Sequence, residues 1–561
     1  MNRSYAIGLD YGTNSCRSVL VDLSNGAELG SKVFPYPSGE AGILLDSKDP
    51  NVARQNPQDY VDGLIDIVQG AIAEAKAKDP NFKVEKIIGI GVDTTGSTPI
   101  PVDEEGTPLG LKPEFKDNLN AQVWLWKDHT GHAEAAAITE KAAAMRPHYL
   151  AKCGGTYSSE WWWSKIWRLK NVDFEVFEAA YSFVEHCDYL PALLTGNLKP
   201  TAIKRGVCAA GHKAMFNAEW GGLPDKEFLA ALDPALAELR DRLYGHAVPA
   251  NQLAGGLTDK WASKLGLKPG TAVAVGAFDA HMGAVGAGIK EGTLVKILGT
   301  STCDTMVVPN EQELADVPGL CGIVDGSILP DHHGLEAGQS AVGDIFLWFV
   351  NHLVPDKYGN TIDEKFATME NILAKMKPGE TGLLALDWNN GNRTILVDVR
   401  LSGLILGQTL HTEAHEIYRA LIEATAFGAL TIIKRIEEYG VPVREVINTG
   451  GLAVKNETLM QIYADVLGRP LKVAASEQTC AIGAALFGAA ASGRMSLSDA
   501  QQNCCHVRDR VYEPIAENQA VYVELYGLYR SMHDAMGTEC WSTELNHVMK
   551  DLIAIRERSR A

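Results

Sequence analysis

A chain of 561 residues, 46% hydrophobic and 22% charged, has the composition of a globular protein and exceeds what one hydrophobic core organises, so two large domains are expected. A net charge of −19 excludes partners that bind through a basic excess, which are nucleic acid and anionic membrane. Ten cysteines, with Cys504–Cys505 the only close pair and no CxxC spacing, argue against a disulfide framework or a zinc ribbon and for reduced thiols.

The N-terminus runs directly into a strand, Ile7–Gly8–Leu9–Asp10–Tyr11, without an apolar stretch of signal-peptide length, so a cytoplasmic location is expected. The turn Gly12–Thr13–Asn14–Ser15 follows. Such a turn can aim backbone N–H groups and hydroxyls at phosphate oxygens, and Asp10 at the strand end could hold Mg²⁺ through water. An ordinary hairpin explains the same residues. Asn56–Pro57 opens a helix with Tyr60, Val61, Leu64, Ile65, Val68 and Ile72 at helical spacing. A second strand, Ile87 to Asp93, leads into Thr94–Thr95–Gly96–Ser97. The tryptophans Trp161, Trp162, Trp163 and Trp167 are read as packing residues more than as a sugar-stacking surface.

The apolar run Ala272–Val275 precedes Asp279, a carboxylate free to reach a substrate hydroxyl or to cap the next helix. Gly286, Gly288 and Gly292 mark a domain boundary, giving domains of 1–288 and 289–510. Strand Leu294 to Leu298 then enters Gly299–Thr300–Ser301–Thr302, an echo of the first turn. Glu413 to Glu438 reads as a long helix, Val446–Asn448 as a strand ahead of Thr449–Gly450–Gly451, and 511–561 as a helical extension packed on the second domain. Cys480 to Ser492 is apolar but too short to span a bilayer. The repeated order of strand, tight turn and strand indicates a duplicated α/β domain, with a mainly parallel, helix-covered sheet in each half. Two Gly-Thr turns would clamp the β- and γ-phosphates of ATP from both sides. Neither a Walker sequence nor a GxGxxG turn is present. His411 with His415, His129 with His132, and His332 with His333 lack convergent ligands and are read as structural.

Several stretches together carry a resemblance. They are Leu9 to Ser15, Gly91 to Pro99, Leu125–Trp126–Lys127–Asp128–His129–Thr130, Gly154 to Trp161, Ala210–Gly211–His212–Lys213–Ala214, Phe278 to Gly286, Gly299 to Asp304, and Thr449–Gly450–Gly451. Over nearly its whole length the chain resembles the FGGY carbohydrate kinases, and within them the branch that acts on ribulose. The resemblance implies two ribonuclease-H-like (actin-like ATPase) α/β domains around a central cleft, with ATP and Mg²⁺ as cofactors. It implies Asp279 as the catalytic base, Trp126, Lys213 and Glu336 as sugar contacts, and Gly96 and Ser97 as pocket lining. It places residues 12–15 and 299–302 at the phosphates and Gly450, Gly451, Lys455 and Asn456 near the nucleotide. The implied reaction converts L-ribulose to L-ribulose 5-phosphate in L-arabinose breakdown. The implied partners are a small sugar and ATP, with a homodimer left open. Gln408 and Leu421 depart from the family pattern and bear on sugar preference. D-ribulose, xylulose or glycerol as acceptor, or a sugar-independent actin-fold ATPase, are the alternatives.

Overall fold

The computed structural model describes residues 3–539, 545 and 547–560. Its first sheet contains β1 (Tyr5–Tyr11), β2 (Ser15–Asp22), β3 (Glu28–Pro35), β4 (Ile87–Thr94), β5 (Leu253–Gly256), β6 (Ala272–Ala274) and β7 (Ala277–Phe278). The order is β5-β6-β4-β1-β2-β3, with β7 also on β4. The second sheet contains β8 (Thr293–Leu298), β9 (Thr302–Pro309), β10 (Gly322–Asp325), β11 (His332–Ala337), β12 (Glu445–Thr449) and β13 (Leu471–Val473). Its order is β10-β11-β9-β8-β12-β13. In both sheets a hairpin (β1–β2, β8–β9) is flanked by a later strand parallel to its first member (β4, β12). An antiparallel strand flanks its second member (β3, β11). The duplication read from the two Gly-Thr turns is therefore a duplication of topology.

The sheets are mixed, not mainly parallel. The reason lies in the turns. A few residues between β1 and β2, or between β8 and β9, can join only antiparallel neighbours, because a parallel connection needs a crossover of a dozen residues or so.

The helices that pack the cores or position the site residues include α1 (Pro57–Lys78), α2 (Val207–Lys213), α3 (Asp279–Gly286), α4 (Ala414–Glu438), α5 (Glu457–Leu467), α6 (Thr479–Ala491), α7 (Ala516–Gly537) and α8 (Val548–Arg560). The Asn56 side chain accepts from the Gln58 N–H and Pro57 opens α1, which buries Tyr60, Leu64, Ile67, Val68 and Ile72 in the first core. Val61 and Ile65 are only partly buried beside it. α4 runs through the second core, where Leu421 is buried, while Gln408 is exposed. Tyr522, Leu525 and Tyr529 of α7 and Leu552 and Ile555 of α8 join that core. The tryptophans pack as expected: Trp162 and Trp163 are buried, and the Trp163 indole donates to the Ala214 carbonyl at 2.9 Å.

α6 is the apolar stretch noted in the sequence, and it lies directly on the first sheet. A Cβ at Gly8 would coincide with the Ala481 carbonyl, one at Gly91 with that of Ala484, and one at Gly89 with that of Gly488. α3 crosses α6 just as closely, Gly286 against the Thr479 carbonyl and Gly483 against that of Met282. Glycine alone permits backbone-to-backbone approach of this kind. The result is a third core shared by both sheets, with Ala6, Val21, Met282, Val295, Ile447 and Ile482 among its members. Among the described residues, no helix is long and apolar enough to cross a membrane.

The seam predicts a contrast between two glycines. Gly8→Ala should lower unfolding free energy by about 3 kcal/mol or more, at the upper end of overpacking penalties. Gly245→Ala, where an added Cβ meets nothing within 4 Å, should leave it nearly unchanged. Denaturant unfolding of both variants checks this, and equal midpoints would remove the close-approach argument.

Candidate active site

β1, β4 and β7 run parallel, so their carboxyl ends share one edge. The register sets Asp10 opposite Asp93 and Asp93 opposite Ala277, two residues before Asp279. Asp10 faces the Arg17 guanidinium at 3.4 Å across the hairpin. Both Asp93 oxygens are buried without a hydrogen-bond partner. Asp279 is not the cap of α3, a position taken by Phe278; its carboxylate accepts only from the adjacent Ala280 N–H, at 2.7 Å. Burial, and then the charge of Asp10, pushes Asp279 up to about 7. Burial pushes Asp93 well above the usual carboxylate range, with Asp10 and Asp279 adding to it. The first turn of α6 arrives at the same edge, where burial and these three acids push the Cys480 thiol up. Three carboxyls in a poorly solvated edge cannot all ionise without a cation. The unpartnered Asp93 oxygens beside Asp10 therefore fit a hydrated divalent ion, oxygen ligands and all. Asp93 was not anticipated as a site residue, although it ends its strand before a Thr-Thr-Gly turn much as Asp10 ends β1.

The two Gly-Thr turns are closed alike. The Gly12 N–H donates to the Ser15 carbonyl at 3.0 Å and the Gly299 N–H to that of Ser301 at 3.0 Å. Their surroundings differ. Thr13 Oγ1 accepts from the Trp126 indole at 3.0 Å, its carbonyl accepts from Gln55 at 2.7 Å, and Asn14 donates to the Ala41 carbonyl at 2.7 Å. In the second turn, the Thr300 carbonyl accepts from the Val342 N–H at 2.8 Å, and the buried Thr302 hydroxyl accepts from the Gln339 N–H at 2.9 Å. Lys296 and Asp304 form a buried ion pair at 2.8 Å across the second hairpin. Gly450 has φ +97° and its backbone runs against the Leu298 carbonyl, just ahead of Gly299. Gly451 is open on its free side and Lys455 is exposed. The Asn456 amide is already committed, capping α5 through the Leu459 N–H at 2.8 Å and donating to Glu370 at 2.9 Å.

Lys213 ends α2 and Glu336 lies on β11, and the structure brings them together, Nζ to Oε1 at 2.8 Å, both buried. The Lys213 ammonium also stands 5.2 Å from the Trp161 ring centroid and 5.9 Å from that of Phe278. Burial pushes the Glu336 carboxyl upward, but the charge and hydrogen bond of Lys213 together with His212 and His281 outweigh it and leave the group below the usual range. His212 and His281 flank the same carboxylate. Gly96 sits against the Phe278 ring, which a side chain there would overlap. Ser97 donates to Glu185, and Glu185 also accepts from the Thr98 N–H at 2.7 Å. The buried Lys165 ammonium ties the Ser97 and Leu125 carbonyls together at 2.7 Å each, which holds the Ser97 and Trp126 loops side by side. Trp126, Ser97, Lys213 and Glu336 thus come from four separated stretches. Lys165, His212 and His281 are additions; the two histidines stood inside the Ala-Gly-His-Lys-Ala and Phe-Asp-Ala-His stretches without an assigned role.

Residues 5–286 match the model of the FGGY family of carbohydrate kinases, N-terminal domain, and residues 294–492 match that of the C-terminal domain. The chain belongs to the FGGY family of carbohydrate kinases. It is 44% identical to a ribulokinase of Shouchella clausii over 100% of this chain and 99% of the relative. It is 43% identical to a ribulokinase of Halalkalibacterium halodurans over 99% of this chain and 98% of the relative. The fold is shared with xylulose kinase from Rhodospirillum rubrum at a TM-score of 0.74 and 21% identity, over 95% of this chain and 98% of that one. The enzyme is a sugar kinase with two mixed α/β FGGY domains, which sets aside the sugar-independent ATPase.

Breaking the buried pair should be felt in stability. Lys213→Met strands the Glu336 carboxylate, and removing one partner of such a pair is destabilising by about 3–5 kcal/mol. Adding Glu336→Gln should recover part of that loss by removing the stranded charge. Urea unfolding decides it: a single variant as stable as the parent would mean that water already solvates Glu336.

Proposed function

We propose that this enzyme transfers the γ-phosphoryl group of ATP to the terminal hydroxyl of L-ribulose, giving L-ribulose 5-phosphate and ADP. The observation that carries the reading is the position of Asp279. Its carboxyl, pushed up to about 7, feels the charge of Asp10 and the charges of the buried Lys213–Glu336 pair. A base beside a sugar-binding pair and a phosphate-binding edge can serve both substrates. The hydroxyl oxygen attacks the γ-phosphorus in line, the bond to the ADP oxygen breaks, and Asp279 takes the hydroxyl proton.

Lys213 donates to and Glu336 accepts from sugar oxygens, and Trp126 and Ser97 border the pocket. The Gly12–Ser15 and Gly299–Thr302 turns offer N–H groups to the phosphates, with Gly450, Gly451 and Lys455 on the nucleotide side. Asp10 and Asp93 would hold Mg²⁺, which when bound neutralises charge on the phosphate oxygens. Ribulose as acceptor follows the names of the full-length relatives, and the L-enantiomer places the enzyme in L-arabinose breakdown. A cytoplasmic setting, where ATP is available, suits the described cysteines, all of them free thiols.

Asp279→Asn should preserve shape and remove the proton acceptor, lowering kcat by about 10² or more. A base must be deprotonated to work, so kcat/KM for the sugar should fall as pH drops through about 7 in the parent enzyme. The Asn variant should lose that limb. Steady-state kinetics between acid and neutral pH tests both, and a folded variant with parental turnover ends the assignment.

Gly299→Ala probes the phosphate turn. The added Cβ would meet no heavy atom closer than Ser301 O at 3.8 Å, so folding should be spared. ATP affinity measured by calorimetry should weaken about tenfold, or 1.4 kcal/mol, if phosphate oxygens approach that backbone. Unchanged affinity would make the turn a hairpin and nothing more.

A further inference from the structure

The carboxylate that pairs with Lys213 has a second oxygen, and its surroundings do not match the first. Glu336 Oε2 lies 3.4 Å from His212 Nδ1 and 3.5 Å from His281 Nε2. The three groups can offer ligand atoms that all lie within 4.8 Å of one another. None of these three atoms has a hydrogen-bond partner, and the two imidazoles are 0% and 2% exposed.

His212 Nε2 stands 3.0 Å from the Ser327 hydroxyl, which also contacts the Val324 carbonyl at 3.0 Å. With Ser327 donating to that carbonyl, His212 Nε2 carries the ring proton and Nδ1 presents its lone pair to the carboxylate oxygen. Two buried acceptors pointed at each other repel unless a cation, or a donor from a ligand, sits between them. Burial keeps both imidazoles neutral, the state in which they ligate metals.

We propose that His212, His281 and Glu336 form a binding site for a borderline transition-metal ion, Zn²⁺ in particular, and that filling it inhibits sugar phosphorylation. Ligand atoms at about 2.0–2.1 Å from a tetrahedral zinc stand roughly 3.3 Å apart, so the two Glu336–imidazole spacings are already close to that value, and the imidazole nitrogens, within 4.8 Å of each other, close on the ion. The His212–Ser327 bond is the outer-shell contact such a ligand usually has. Mg²⁺ prefers all-oxygen octahedra and is not expected to compete here. A divalent ion on Oε2 weakens the hold of Glu336 on Lys213 and sets a like charge beside that ammonium. The inhibitory part rests on the sugar-binding reading of Lys213 and Glu336; metal binding itself does not.

The test uses the full-length enzyme with Co²⁺ and Zn²⁺ as probes. One equivalent of Co²⁺ should give the intense visible absorption of a tetrahedral site, displaced by Zn²⁺, and Ser327→Ala should weaken affinity about 10–100-fold. His212→Asn and His281→Asn should each abolish the band. X-ray absorption at the zinc edge of the unmutated enzyme should show two imidazoles and one carboxylate, which needs no variant to fold. No bound ion, or a spectrum without imidazole scattering, overturns the site. With ADP quantified directly at saturating Mg-ATP, Zn²⁺ should raise the sugar KM and leave the ATP KM unchanged. Zinc bound by these ligands with an unchanged sugar KM would overturn the inhibitory role and leave the site standing.

Discussion

Backbone contact between α6 and the first sheet is the constraint on which the rest of the structure depends. α6 belongs to the second half of the chain, yet its carbonyls at Ala481, Ala484 and Gly488 lie where side chains of Gly8, Gly91 and Gly89 would stand. α3 is locked against it through Gly286 and Gly483. Because α3 begins at Asp279 and α6 begins beside Cys480, this seam sets the height of both helix starts at the carboxyl edge of β1, β4 and β7. Side chains of ordinary size would separate these helices by the several ångströms usual in helix packing.

Charge is arranged asymmetrically on the duplicated frame. The first hairpin contributes Asp10 opposite Arg17, and its neighbouring strand contributes Asp93. The second contributes Lys296 opposite Asp304, a pair that ties β8 to β9 beneath the second turn. One half therefore presents unsatisfied negative charge, and the other presents a turn whose charges are already matched. Burial makes the distinction matter: the same carboxyls in water would keep ordinary titration behaviour, and Asp279 would not be pushed up to about 7. Lys165 holds the Ser97 and Trp126 loops by carbonyls alone, and burial draws its ammonium down to about 7. That ammonium is a positioning group, with its donors directed to backbone.

The sequence by itself determined the two strand–turn–strand units, the Asn56–Pro57 helix start, the long helix after Glu413, and the family. Each is a local pattern: a glycine turn, a cap, a period of apolar residues, or motifs in order. Asp10, Asp279 and Lys213 stood out because they lie in such motifs, whereas Glu336 lies in none of them and came only with the family resemblance. The mixed sheets, the placement of Asp93 level with Asp10 and the His212–His281–Glu336 cluster were decided only in three dimensions. Strand direction depends on which segments pair, and nothing within Ile87 to Asp93 states that it will lie parallel to β1 with Asp93 level with Asp10. The glycines of α6 and the first sheet read as a small-residue composition, and only packing shows that Gly8 must lack a Cβ because Ala481 lies against it. Nor can a one-dimensional reading set His212 against the Ser327 hydroxyl, which is 115 residues away in the chain and reaches the ring only because the fold brings the two together.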